Sequence, residues 1–131
     1  MFYELNIKVK RLNEKGEEKE VIEKYITDKT FFSEVECVGL ELYNNECDVC
    51  AIKRSRVTEI INNKVEDIPF FRVVVCDVFT NDDGVEKEID YQILVCAKDV
   101  KNANEKVLEY MKQGYNMEVK SVSRTKILDV L

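Results

Sequence analysis

The chain has no histidine and no tryptophan, one proline and four glycines. Lacking histidine, it lacks the commonest general base and the usual activator of a serine or cysteine nucleophile. Catalysis would have to rest on carboxylates, lysines or a metal held by oxygen ligands, so the expectation is a protein that is not an enzyme. The glycines stand singly, which leaves no glycine-rich loop to cradle a phosphate. No apolar run approaches the roughly eighteen residues that a membrane span requires. The opening MFYELNIKVK alternates apolar and polar residues and lacks the basic start and unbroken apolar block of a signal peptide. Five cysteines, an odd number without the dense spacing of a disulfide scaffold, point to a reducing compartment. The expected location is cytoplasmic, with no membrane partner.

What is present is globular in profile. A length of 131 residues, 45% hydrophobic and 35% charged, suits one compact domain spanning 1–131. A formal net charge of −6 argues against generic binding of polyanions, although it leaves room for a local basic face.

The stretch NEKGEEKEV, from Asn13 to Val21, returns sixty-eight residues later as NDDGVEKEI, from Asn81 to Ile89. The same displacement superimposes Phe2 on Phe70, Gly16 on Gly84, and Glu18, Lys19 and Glu20 on Glu86, Lys87 and Glu88. Further along the displacement becomes seventy, matching Arg54 to Arg124, Ser55 to Thr125, Val57 to Ile127, Glu59 to Asp129 and Ile60 to Val130. This reads as a tandem duplication with repeats over about 2–62 and 70–131.

Within each copy, period assigns the elements. Tyr3, Leu5, Ile7 and Val9 alternate with polar residues, as in a strand with one buried face. Gly16 and Gly84 each follow an Asn by three positions and supply the positive torsion of a hairpin loop, with return strands over 19–27 and 87–97. Phe32, Val35, Leu40 and Tyr43 share a helical stripe, with Thr30 or Ser33 as cap. In the second copy Val100, Ala103, Val107, Leu108 and Met111 do the same, with Asp99 as cap and Gly114 as stop. CDVCAIKRSRV and MEVKSVSRTKI supply a third strand each. The expected fold is α+β: a tandem duplication of a ββαβ unit, its antiparallel-rich sheet of six strands covered on one face by two helices. PFFRVVVCDVF and YQILVCA are apolar on both alternating faces, which places the second copy's strands centrally or beneath another subunit.

YITDKTFFSEVE, AIKRSRVTEI and the ending SVSRTKILDVL resemble an uncharacterised domain family of gut Bacteroidetes and their phages. The corresponding positions are Tyr25, Asp28, Phe32, Ser33, Glu34 and Glu36, then Ser121, Ser123, Thr125, Ile127, Asp129 and Val130; the family has Ala where this chain has Val35. The resemblance covers nearly the whole chain and implies fold, compartment and a phage origin, with no catalytic residue or ligand to carry over.

Three constellations bear on chemistry. Cys47 and Cys50 have the spacing of half a zinc site or a redox pair. In an extended strand they point to opposite faces, and their equivalents are Met117 and Lys120, so small buried or half-buried side chains are the simpler reading and no metal or cofactor is expected. Asp82 and Asp83 beside Gly84 lack the ligand order of an EF-hand and read as a solvated hairpin tip. Lys53, Arg54 and Arg56, with Lys120, Arg124 and Lys126, form matching basic strands, expected on the face not covered by helices. There they would suit a phosphodiester backbone, with Tyr or Phe side chains for base stacking; the simpler alternative is cross-strand pairing with Glu18, Glu20, Glu86 and Glu88. The apolar ending ILDVL either closes the core or forms an edge that recruits a second chain.

The functional expectation is a non-enzymatic binding module. The leading ligand is single-stranded nucleic acid, in replication or recombination, held by those six basic residues. The alternative is a protein-interaction or host-modulating module, binding a host or phage protein or forming a homodimer, without nucleic acid.

Overall fold

The computed structural model describes residues 1–112 and 117–131. The expected stop at Gly114 lies outside the described residues. Ten elements follow in chain order: β1 Tyr3–Leu12, β2 Glu18–Thr27, α1 Phe32–Glu41, β3 Asp48–Arg54, β4 Val57–Ile60, β5 Phe70–Thr80, β6 Glu86–Cys96, α2 Val100–Met111, β7 Met117–Arg124 and β8 Ile127–Val130. The fold is α+β, and the order ββαββ occurs twice. No described helix is long and apolar enough to cross a membrane.

The single six-stranded sheet of the sequence reading is replaced by two sheets of four, ordered β3-β1-β2-β8 and β4-β6-β5-β7. Each run expected as one third strand is broken by a buried Ser55 or a half-buried Thr125 into two strands. At those breaks the chain changes sheets: the two compact units comprise residues 1–55 with 126–131, and residues 56–125. These differ from the repeats 2–62 and 70–131 because each copy gives its last strand to the other's sheet. The donated strands lie parallel to their neighbours and in matching register, Lys24 beside Ile127 in the first unit and Gln92 beside Val57 in the second.

Each unit can be built from its own alternation. In the first, Tyr3, Leu5, Ile7 and Tyr25 point to the side that carries α1 and bury against Val35. Gly39 lets α1 approach closely, since a Cβ there would sit 2.8 Å from Val49 Cγ2 and 3.0 Å from Leu5 Cδ1. In the second, Phe71, Val73, Val75, Ile93 and Val95 bury against Ala103, Val107 and Met111 of α2. Burying one such aliphatic side chain contributes roughly 1.5–3 kcal/mol, which is why alternation sets which face turns inward. Ile26 and Leu94, on the opposite faces, are also fully buried within the single chain. β5 and β6 are central strands, but β1 and β2 hold the same place in their own sheet, so the expected difference between the copies does not appear. Of the ending ILDVL, Leu131 packs on the first unit's core and Ile127 is buried, while β8 itself lies at the edge of its sheet; Leu131 N–H donates to Ile26 O at 2.8 Å, and Thr27 Oγ1 donates to Leu131 O at 2.9 Å.

The hairpin loops are duplicates in atomic detail. Asn13 Oδ1 accepts from Lys15 N and Glu17 N, Asn81 Oδ1 accepts from Asp83 N and Val85 N, and Gly16 and Gly84 take φ of 77° and 78°. The helix starts differ. Asp99 caps α2 by accepting from Asn102 N at 2.7 Å, as expected. Neither Thr30 nor Ser33 caps α1, whose N-cap is Phe31 without a side-chain bond. The expected stripes also narrow, because Phe32, Val100 and Leu108 are exposed and α1 buries only Val35 and Gly39.

Candidate nucleic-acid interface

Of the six basic residues, the first unit holds Lys53, Arg54 and Lys126, and the second holds Arg56, Lys120 and Arg124. All are exposed. Register divides them between faces. Arg54 stands opposite Tyr3 and Arg124 opposite Phe71, so both point to the helix-bearing side, whereas Lys53 stands opposite Glu4 on the other side. The expected common face away from the helices is therefore corrected. The cause is a β-bulge in each strand, after Asn6 and after Val74 of the partner strands, which leaves Cys50 and Lys120 as extra residues and flips the alternation beyond them.

Electrostatics separate the six further. Lys120 Nζ lies 3.1 Å from Asp90 Oδ2, and this hydrogen bond, then the charges of Asp90 and Glu88, raises its pKa. The pairing alternative thus describes Lys120, with Asp90 as partner in place of the expected glutamates. Lys53, Arg54, Arg56, Arg124 and Lys126 make no salt bridge or side-chain hydrogen bond among the described residues, in a chain with twenty-six acidic residues.

Next to Arg54 the first unit carries an aromatic ledge. Tyr3, the register partner of Arg54, packs its ring on Phe32 with centroids 5.3 Å apart at 56°, and Phe32 and Phe31 remain 59% and 65% exposed. Two large aromatics so exposed are available to a ligand's flat face. The ledge has no counterpart in the second unit, where the equivalent residues are Asp99 and Val100. The helical stripe expected from the sequence includes Phe32 and leaves Phe31 outside it. The signal was there: two adjacent aromatics at a helix start cannot both face inward.

At the far end of α1 a polar cluster fixes the helix to the sheet. Arg11 Nη2 donates to Glu23 Oε1 at 2.7 Å and to Tyr43 Oη at 2.6 Å, and its guanidinium lies 5.1 Å from the Tyr43 ring centroid. Tyr43 donates to Glu23 Oε1 at 2.7 Å and Tyr25 donates to Oε2 at 3.2 Å. Burial alone would raise the Glu23 pKa, but the hydrogen bonds from Tyr43, Arg11 and Tyr25 and the charge of Arg11 outweigh it and hold the carboxyl below its usual range. Burial drives Tyr25 and Tyr43 upward. Each group is thus held away from neutrality, so the cluster anchors structure and offers no acid or base titrating near pH 7. A surface hollow of about 610 Å³ beside it mixes Lys8, Lys10 and Arg11 with Glu18, Glu20 and Asp48 and has no single sign of charge.

The thiols have separate surroundings. Cys47 faces Gly39 O at 3.6 Å and Cys50 faces Asn6 O at 3.3 Å, so each has its own carbonyl. Burial raises the Cys47 pKa. Cys76 donates to Glu88 Oε1 at 2.9 Å, and that bond, then burial and the neighbouring carboxylates, pushes its pKa up to about 11. Cys47 and Cys76 are therefore held as thiols at neutral pH. Among the described residues no group of three or more metal-ligating side chains gathers.

The family model described as Domain of unknown function (DUF4494) matches residues 1–131. No curated protein and no solved structure matches the chain.

Proposed function

This chain belongs to the DUF4494 family, a domain of unknown function, and from the geometry around Tyr3 we propose that it is a binding module for single-stranded nucleic acid. The observation that carries the reading is the convergence on Tyr3 of an unpaired arginine, Arg54, and an exposed ring, Phe32. A phosphate needs a cation not already neutralised, and an unpaired base needs an accessible aromatic face; this end of the sheet offers both. Lys53 points to the other face of the same strand and adds nothing to this surface. In the second unit Arg124, equally exposed but without aromatics at the matching helix start, supplies backbone contacts alone. Binding in replication or recombination is the role this chemistry fits, and a phage source is the context that the family resemblance suggests.

Fluorescence anisotropy of a labelled single-stranded oligonucleotide, titrated with the protein at rising salt, tests the reading. Saturable binding is expected, with a log–log salt slope of about −0.7 for each phosphate contacted. Absence of binding at low salt would end it.

A second reading, protein recognition, has an observation of its own. The loop end of the β5–β6 hairpin exposes Val78, Phe79, Val85 and Ile89. Apolar side chains exposed together on a sheet recruit other chains. Size-exclusion chromatography with light scattering would show a dimer if the partner is a second copy, and Phe79→Lys would dissociate it.

A further inference from the structure

The two units fill the same place in different ways. In the first, Glu23, Tyr25 and Tyr43 close on one another and on Arg11. Register identifies their counterparts: Ile7 stands opposite Glu23 as Val75 stands opposite Tyr91, and Leu5 opposite Tyr25 as Val73 opposite Ile93. Met111 takes the place of Tyr43 in the repeat. Replacing a carboxylate and two tyrosines by Tyr91, Ile93 and Met111 removes the hydrogen bonds that drew these side chains together, and a hollow of about 340 Å³ is left. That volume lies at the small end of ligand pockets.

Its lining is chemically one-sided. Val75 and Ile93 form an aliphatic floor, while Tyr91, Met111 and Met117 bring a ring and two thioethers. At the rim stand Thr58, whose hydroxyl donates to Gln92 O, and Glu59, which accepts from the Tyr110 hydroxyl. Among the described residues Glu59 is the one charged group in the lining. Aromatic faces, polarisable sulfur and a single carboxylate together favour a cation with an apolar body. We infer that the second unit binds a small organic ammonium ion, its aliphatic or aromatic body between Tyr91, Met111 and Met117 and its charged head at Glu59. The site lies within the second unit and is independent of the nucleic-acid reading.

The chain's three methionines provide the readout, since Met111 and Met117 line the hollow and Met1 is exposed elsewhere. The full chain carrying methyl-labelled methionine is titrated with phenethylamine and, in parallel, with its neutral analogue phenethyl alcohol. Saturating shifts of the Met111 and Met117 methyls are expected with Met1 unmoved, and the amine binds at least about tenfold tighter, as a hydrogen bond between charged groups implies. Ile93→Tyr, restoring the side chain that fills this place in the first unit, abolishes the shifts. Glu59→Gln, a rim substitution that leaves the floor intact, retains binding and removes the preference for the amine; it decides the matter should Ile93→Tyr fail to fold. Unmoved Met111 and Met117 methyls up to the solubility of either compound, equal affinity for amine and alcohol, or unchanged preference in Glu59→Gln would each overturn the assignment.

Discussion

Glu23 is the residue on which the first unit's polar cluster turns. Its folded pKa lies below the unfolded value near 4.5, so its contribution is present above that value and is lost as the pH falls through the folded pKa. Tyr25 and Tyr43 behave in the opposite sense. Their folded pKa values lie above 10.0, so their contribution is complete below that value and is lost as the pH rises beyond it. Urea unfolding followed across pH should show stability falling at both ends. Glu23→Gln should flatten the acid limb and Tyr43→Phe should reduce the alkaline one, each costing about 1–2 kcal/mol at pH 7 through lost or unsatisfied hydrogen bonds. None of this was legible in the sequence. Arg11, Glu23 and Tyr43 are far apart in the chain, and only the hairpin register and the end of α1 bring them within hydrogen-bonding distance. Arg54 and Arg124 were legible as an equivalent pair because the repeat aligns them, whereas Phe31 falls outside the helical stripe and its exposure follows only from the adjacent Phe32.

Elements were read with more success, and the failures share a cause. The alternation of Tyr3, Leu5, Ile7 and Val9 and the Asn-to-Gly spacing of the two loops determine local structure by themselves, so both hairpins appear as expected. The bulges at Cys50 and Lys120 depend on pairing with a strand distant in sequence, and no local pattern announces them. One unrecognised extra residue in each strand is enough to move Arg54 and Arg124 to the helix side. Gly39 shows the same dependence on tertiary context, being a poor helix former retained where α1 meets β1 and β3. Gly39→Ala gains up to about 1 kcal/mol of helix propensity and meets the Val49 and Leu5 side chains, an overpacking cost of about 1–3 kcal/mol. A net lowering of the thermal midpoint is expected in calorimetry, and a raised midpoint would show that the helix can move away without loss.

For the whole molecule the main finding is the exchange of final strands. Period and repeat predicted the two sets of elements, but strand order is a long-range property, and ββαβ twice was the simplest closure of each copy. The break at Ser55 and at Thr125 redirects each chain end into the other copy's sheet. Removing residues 127–131 should therefore injure the first unit, although the segment belongs to the second repeat. Hydrogen exchange should lose protection at Lys24–Thr27, where β8 pairs, while β5, β6 and β7 keep theirs. Loss confined to β7 would contradict the exchange.

The most direct test of the nucleic-acid account compares Arg54→Glu, Phe32→Ala and Arg124→Glu in the oligonucleotide anisotropy titration, with circular dichroism to confirm folding. The account predicts that Arg54→Glu is the most damaging of the three. Phe32→Ala should weaken binding by about 1–3 kcal/mol with little change in salt slope, and Arg124→Glu should weaken it less than Arg54→Glu while lowering the slope. Affinity unchanged by both Arg54→Glu and Phe32→Ala would contradict it.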